Sequence, residues 1–343
     1  MSEASDSRPG GHVPVLLHPV MEAVSPVDGA WIVDGTYGGG GYARAALAIA
    51  DCRIIAVDRD PDAMARAWAH AGVDDRLKPA AGRFSEMDAI VAALGGAPSD
   101  HLVDGVMLDL GVSSFQIDQG ERGFSFMREG PLDMRMEKRG PSAADAVNRM
   151  SEAELTEVFR QLGEEPAARR YAKAIVRQRA QVPFTTTLEL ARCIEDAAGG
   201  RMGRRTHPAT RVFQALRMFV NDELGELARA LVAAERVLRA GGRLAVVTFH
   251  SLEDRMVKAF LRERSGDVPG VSRHQPERHA GAAPTFDVPQ RKAIEPSDEE
   301  TAANPRSRSA RLRWAIRTAV AARPNVPPIP SGLPRLAQLE VDA

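Results

Sequence analysis

The sequence predicts an α/β fold: a parallel, doubly wound sheet interrupted by an all-helical domain. Three observations predict it. The apolar runs Trp31-Ile32-Val33-Asp34, Ile54-Ile55-Ala56-Val57-Asp58 and Val106-Met107-Leu108-Asp109 each end in an aspartate, and parallel strands covered on both faces read as unbroken apolar runs. The loop Gly35-Thr36-Tyr37-Gly38-Gly39-Gly40-Gly41 separates the first two runs. Beyond Asp109 the strand–helix alternation gives way to helical patterning, and an apolar strand returns only at Leu244 to Phe249.

Taken in order, a short helix over 16–24 leads to a strand at 31–34. Then come a helix from about 41, a strand at 54–58, a helix at 61–71, a weak strand at 77–81, a helix at 85–94 and a strand at 103–109. This rhythm implies right-handed βαβ crossovers. Residues 116–140, rich in Gly, Arg and Asp, read as a long ordered loop. Helices follow to 215: Ser151-Glu152-Ala153-Glu154 and Thr186-Thr187-Leu188-Glu189 fit the capping box, and Pro208 suits a first helical turn. A helix over 221–239, ended by Gly241-Gly242, precedes the strand from Leu244. Residues 265–305 read as an irregular excursion, and Leu312 to Ile316 as a closing strand. The domains are therefore 1–115 and 216–320 for the α/β part, 116–215 for the insert, and a proline-rich, disordered tail over 321–343.

With 343 residues, 44% hydrophobic and 27% charged, the chain is long enough for a substantial core. A net charge of −1 gives no global basic signature. Charge is uneven, however: 169–179, 201–217 and 306–317 are rich in Arg and free of acids. Each is either a solvated helix face or a phosphate-binding surface. Cys52 and Cys193 are too few for a disulfide framework or a zinc set. The polar N-terminus lacks a signal-peptide core, and no apolar run reaches the roughly 18 residues of a membrane span. The reading is a cytoplasmic protein with no membrane partner.

Gly38-Gly39-Gly40-Gly41-Tyr42-Ala43 fits G-x-G-x-x-A between a strand and a helix, the Rossmann-like arrangement for a nucleoside-bearing cofactor. Asp58 lies 18 residues after Gly40, where an acid can accept ribose hydroxyls; its bland alternative is a cap for the helix at Pro61. Asp34, placed to meet an amino group, and Asp109, closing the fourth strand, favour S-adenosylmethionine over NAD. Phe84 flanks adenine or belongs to the core.

At Asp109-Leu110-Gly111-Val112-Ser113-Ser114, Gly123-Phe124-Ser125-Phe126-Met127-Arg128 and Gly130-Pro131-Leu132-Asp133-Met134-Arg135-Met136 the chain ceases to be generic. It closely resembles the bacterial ribosomal RNA small subunit methyltransferase H family. His12-Val13-Pro14-Val15-Leu16-Leu17, His207-Pro208-Ala209-Thr210-Arg211, Phe249-His250-Ser251-Leu252-Glu253-Asp254-Arg255 and Asn304-Pro305-Arg306-Ser307-Arg308-Ser309 extend the match from about 12 to 318. The resemblance implies a class I methyltransferase domain with a helical insert. It also implies methylation at N4 of a cytosine in the decoding region of 16S rRNA, with the 30S subunit or a late assembly intermediate as partner. Its cofactor contacts fall on Gly40, Gly41, Tyr42, Asp58, Phe84, Asp109 and Gln116; Tyr42 stands where the family often has histidine.

Cytosine N4 is a poor nucleophile because its lone pair is delocalised. Many amino-methylating enzymes meet it with D/N/S-P-P-Y/F after the fourth strand. Here that place reads Asp109-Leu110-Gly111-Val112, so Asp109 or nearby carbonyls take the acceptor role, a departure that disfavours a DNA amino-methyltransferase. His250 contacts substrate, shuttles a proton, or is simply a buried, hydrogen-bonded histidine. Asp133 and Arg135 order their loop as an ion pair or touch the RNA. His12 tethers the N-terminal segment over the cleft. Arg204, Arg205, His207, Arg211 and Arg217 face the RNA, the arginines on phosphates. The target base must leave its stack to enter such a pocket. No metal-ligand spacing is visible, so metal-independent transfer is expected; a homodimer is left open. The rivals are an NAD-dependent oxidoreductase and a non-catalytic, adenosyl-binding ribosome-assembly factor.

Overall fold

Seven strands, β1 (Trp31–Asp34), β2 (Arg53–Asp58), β3 (Leu77–Ala81), β4 (Val103–Asp109), β5 (Leu238–Thr248), β6 (Phe286–Asp287) and β7 (Arg311–Arg317), form one sheet in the order β3-β2-β1-β4-β5-β7-β6. The first five are parallel, while β7 runs antiparallel to both β5 and β6. Register sets Asp34 beside Ala56 and Met107, and Asp109 beside Val247. The acids that end β1, β2 and β4 therefore emerge along one sheet edge. This computed structural model describes residues 14–94, 100, 102–200, 206–267, 282–334 and 336–339.

Helices cover both faces, which is why the strands carry unbroken apolar runs. On one face α1 (Leu17–Val24), α2 (Gly41–Ile49) and α3 (Pro61–Ala71) bury Val20, Ala43 and Met64 against Ile32, Ile54 and Met107. On the other, α4 (Met87–Ala93) packs on Val33, Ile55 and Val106. After β4 come α5 (Ser114–Asp118), then α6 (Ala143–Arg149), α7 (Glu152–Gln161), α8 (Ala168–Arg179), α9 (Thr187–Ala198) and α10 (Thr210–Val220). Capping boxes at Ser113, Ser142, Ser151 and Thr186 start four of these helices. The chain returns to the sheet through α11 (Glu223–Val237), α12 (Ser251–Arg264) and α13 (Asp298–Ala303).

The core of the insert is continuous with that of the α/β part. Phe159, Tyr171 and Phe184 belong to the same apolar cluster as Leu231, Val246 and Val106 of the sheet and its covering helix. The expected boundaries at 115/116 and 215/216 accordingly fall inside α5 and α10. The expected end of the long helix also shifts. It stops at Val237, because Leu238 is buried against the sheet and already pairs with Val103. Gly241, at φ 82°, then forms a bulge within β5, and pairing resumes at Gly105 and Arg243.

The excursion over 265–305 holds β6 and α13, whose start is signalled by the Ser297 cap and an acidic first turn. Nor is the proline-rich tail free over its described part. Arg264 donates to the Asn325 carbonyl, Gln161 donates to that of Ser331, and Leu339 is buried in the main core. Prolines reduce the freedom such a segment loses on docking.

Candidate active site

The glycine loop is shaped by close approach. Gly38 and Gly40 have φ of 50° and 72°, and a Cβ at Gly40 would lie 2.5 Å from the Tyr37 ring. At Gly41, the first residue of α2, a Cβ would fall 2.1 Å from Pro14 Cγ. The N-terminal segment is thus pressed onto the loop, and it is fastened twice: the Tyr42 hydroxyl donates to the Val15 carbonyl, and Leu16 N–H donates to Glu300 at 2.7 Å. Between these parts lies a cleft of about 600 Å³ at the carboxyl edge of the parallel strands.

Asp58 is not the helix cap; Asp60 is, accepting from Asp62 N–H. The Asp58 carboxylate accepts from Gly38 N–H at 2.8 Å and Asp60 N–H at 2.9 Å, which joins the loop to the start of α3. Burial pushes its pKa up, and these two backbone bonds offset part of the rise. Gln116 is buried with its amide engaged at both ends, accepting from Ser113 N–H and donating to Asp60 at 2.7 Å. Arg122 joins the same carboxylate at 2.9 Å. Phe84 borders the cleft while packing on the main core.

Gly38, Gly41, Tyr42, Asp58, Phe84, Asp109 and Gln116 all border the cleft. Asp34 and Gly40 are not among its bordering residues. Asp34 is 1% exposed, beneath the loop, with its carboxylate accepting from Thr36 N–H. Burial, then the nearby Asp58, pushes it up to about 7 despite backbone hydrogen bonds from Thr36 and Ala43. Asp109 is pushed up to about 8, by burial first and then by Asp34 and Glu253. One of its carboxylate oxygens, Oδ1, is buried without a partner among the described residues.

The floor of the cleft holds a cluster the sequence reading missed. Arg217, on α10, donates from Nε and Nη2 to the two Glu223 oxygens at 2.7 and 2.8 Å. Next to it, Glu253 accepts from Phe249 N–H at 3.0 Å and faces His250 Nε2, also at 3.0 Å. Burial raises the Glu253 pKa, but His250, the Phe249 N–H and Arg217 outweigh it, leaving the carboxyl below its usual range. His250 does not border the cleft; it stands behind Glu253, which does. Ligand atoms of Glu223, His250 and Glu253 lie within 4.8 Å of one another, so a potential ligand set exists where the sequence showed no ligand spacing. Arg217 already occupies both Glu223 oxygens, which leaves that carboxylate neutralised by a guanidinium.

The expected RNA contacts separate on inspection. Asp133 and Arg135 form a two-point ion pair at 2.6 and 3.0 Å, and Arg135 also donates to the Gly140 carbonyl, so the pair orders its loop. His207 stacks on Phe126 at 4.6 Å and accepts from Ala209 N–H, a packing position. Arg217 is committed to Glu223 inside the cleft rather than displayed to phosphates, a correction that follows from the burial of the last turns of α10. Arg211 is exposed and holds the Glu164 carbonyl at 3.0 Å. His12, Arg204 and Arg205 lie outside the described residues.

This strand order, with the antiparallel β7 beside β5, a glycine loop after β1 and acids ending β1, β2 and β4, defines a class I S-adenosylmethionine-dependent methyltransferase carrying a helical insert. The loop whose positions reject a Cβ and the orphaned Asp109 oxygen fit a cofactor that brings an adenosyl group and a cationic end. Within that class, the sequence profile described as the MraW methylase family matches residues 10–318, and the chain belongs to that family. Ribosomal RNA small subunit methyltransferase H of Hyphomonas neptunium is 56% identical over 330 residues, 96% of this chain and 95% of that one. The protein of the same name from Maricaulis maris is 52% identical over 333 residues, covering 96% and 98%. Among solved structures, a SAM-dependent O-methyltransferase from Thermotoga maritima aligns with TM-score 0.38 at 11% identity, covering 92% of this chain and 69% of that one. S-adenosylmethionine is the methyl donor. Among the described residues no helix is long and apolar enough to cross a membrane.

Proposed function

We propose that this chain methylates N4 of a cytosine in the decoding region of 16S rRNA, within the 30S subunit or a late assembly intermediate. The observation that carries the reading is Asp109, a buried carboxylate at the end of β4 with one oxygen unpartnered and its pKa pushed up to about 8. Such a group is suited to accept an amino N–H and, when ionised, to take its proton. The names of the relatives supply the ribosomal RNA.

The bound cofactor supplies an electrophilic methyl, and this chain's residues do the rest. Asp58 and the glycine loop hold the adenosyl part, while Asp34 adds negative charge from beneath the loop. Asp109 draws the amino nitrogen toward a tetrahedral, nucleophilic state and stabilises the positive charge that develops on it. On the cleft floor Glu253 offers an acceptor to a base edge, beside the Arg217–Glu223 pair. His250 holds Glu253 from behind, a positioning role. Most of the acceleration comes from alignment.

The test is methyl transfer from labelled S-adenosylmethionine to unmodified 30S subunits and to deproteinised 16S rRNA, with nucleoside mass spectrometry of the product. N4-methylcytidine in the decoding region is the expected result. No incorporation into either substrate, with cofactor binding intact, would return the chain to the class of non-catalytic assembly factors.

A further inference from the structure

A second cavity, of about 590 Å³, lies beside α12, bounded by that helix, by β6 with the turn after it, and by β7. Among the described residues Lys258, Arg262, Arg291, Lys292 and Arg313 line it, with the carboxylates of Asp267 and Asp287. Among the described residues no aromatic ring lines it, and the apolar contribution is Leu261 and Val288. Three of these cations are open to solvent. Lys258 and Lys292 are exposed and pair with no acid among the described residues, and the Arg291 side chain is 80% exposed. Asp267 holds Arg291 at 3.3 Å and Arg262 at 3.8 Å, the latter too long for a hydrogen bond, which sets two guanidinium groups side by side.

The groove and the active cleft share the helix α12. Arg313 is bound at 2.7 and 3.1 Å by Asp254, the neighbour of the cleft residue Glu253 on α12. From Glu253 to Arg262 the helix advances nine residues, roughly 13 Å along its axis and about two and a half turns around it, so the groove lies on the far side of α12 from the cleft and a strand that reaches both passes around the helix. α12 thus presents Glu253 to the cleft on one side and Lys258 and Arg262 to the groove on the other.

We propose that this groove binds the phosphodiester backbone of the RNA strand next to the target nucleotide, beside the methyltransferase sheet rather than on the helical insert. This rests on the RNA-methylating function proposed above. Charge without stacking rings or an array of amide side chains suits backbone positioning, not base readout. Neutralising several phosphates gives a binding constant that falls steeply with salt.

The experiment compares the full chain with Lys258→Glu/Arg291→Glu/Lys292→Glu, three exposed positions outside the cofactor cleft. Binding to unmodified 30S subunits and to 16S rRNA is measured across a salt series, alongside S-adenosylmethionine affinity and steady-state methylation. The expected result is at least a tenfold loss of RNA affinity at moderate salt and a shallower salt slope. KM for RNA rises while kcat and cofactor affinity stay unchanged. Unchanged RNA affinity and slope in the variant, with the wild type binding normally, would overturn the groove alone. So would competition by millimolar inorganic phosphate that the variant loses while keeping its RNA affinity, which marks a free-phosphate site. A wild type that binds no RNA would overturn the groove and the proposed function together.

Discussion

The backbone N–H of Asp109 donates to Thr36 Oγ1 at 2.6 Å. This bond ties the last residue of β4 to the glycine loop that follows β1. It fixes the distance between the group expected to meet substrate and the loop expected to hold cofactor. A neighbouring bond, Gly35 N–H to the Met107 carbonyl at 3.0 Å, extends the same seam.

Thr36→Val removes the acceptor while keeping the shape. We expect a loss of about 1–2 kcal/mol in stability from the orphaned N–H, and a drop in cofactor affinity of roughly tenfold, about 1.4 kcal/mol. Thermal melts and calorimetric titration with S-adenosylmethionine check both; Thr36→Ser should restore most of each.

Stability should depend on pH in an unusual direction. Asp34 and Asp109 are raised to about 7 and about 8 from an ordinary 3.8, chiefly by burial. Across that window the folded chain holds more protons than the unfolded one, so their contribution is full below about 3.8 and is lost as pH rises toward 8. The cofactor-free protein should therefore melt at lower temperature at pH 8 than at pH 6. Asp109→Asn should flatten that slope, and cofactor, which brings positive charge, should restore the melting temperature most at high pH. A wild-type slope that Asp109→Asn leaves unchanged would remove this residue from the explanation.

Breaking the cleft-floor pair from one side should be worse than removing it. Arg217→Met leaves Glu223 buried without its guanidinium, at about 3–5 kcal/mol. Adding Glu223→Gln should recover a good part of the melting temperature without recovering methylation, since Arg217 borders the cleft. If the double variant is no more stable than the single, the two residues are not energetically coupled.

Gly41→Ala places a methyl where Pro14 now sits. The N-terminal segment must move outward, so cofactor should dissociate at least tenfold faster while the melting temperature of the cofactor-free protein changes little. Stopped-flow displacement measures the first and calorimetry the second.

Sequence periodicity was a sound guide wherever a residue's role depends on its neighbours along the chain. The runs ending at Asp34, Asp58 and Asp109 became adjacent parallel strands, and the capping motifs at Ser151 and Thr186 start α7 and α9. The same reasoning missed β6, two residues long, and placed Arg217 among open phosphate contacts. A basic residue on an amphipathic helix looks the same in sequence whether water or a carboxylate faces it. Glu223, three residues beyond that helix's end, is what decides the matter here.

By itself, then, the sequence determined the strand–helix order, the glycine loop and the acids at the strand ends, because hydrophobic period and turn chemistry are local. Only the tertiary structure decided that Asp60 rather than Asp58 caps α3, that Gln116 is engaged by Ser113 and Asp60, and that His250 lies beside Glu253. It alone brought Arg217, Glu223 and Glu253 to one cleft floor and gathered Lys258, Arg262 and Arg291 into a groove beside α12. Burial and charge partners come from segments far apart in the chain, and the free energy of a buried polar group depends on those partners more than on its own place in the sequence.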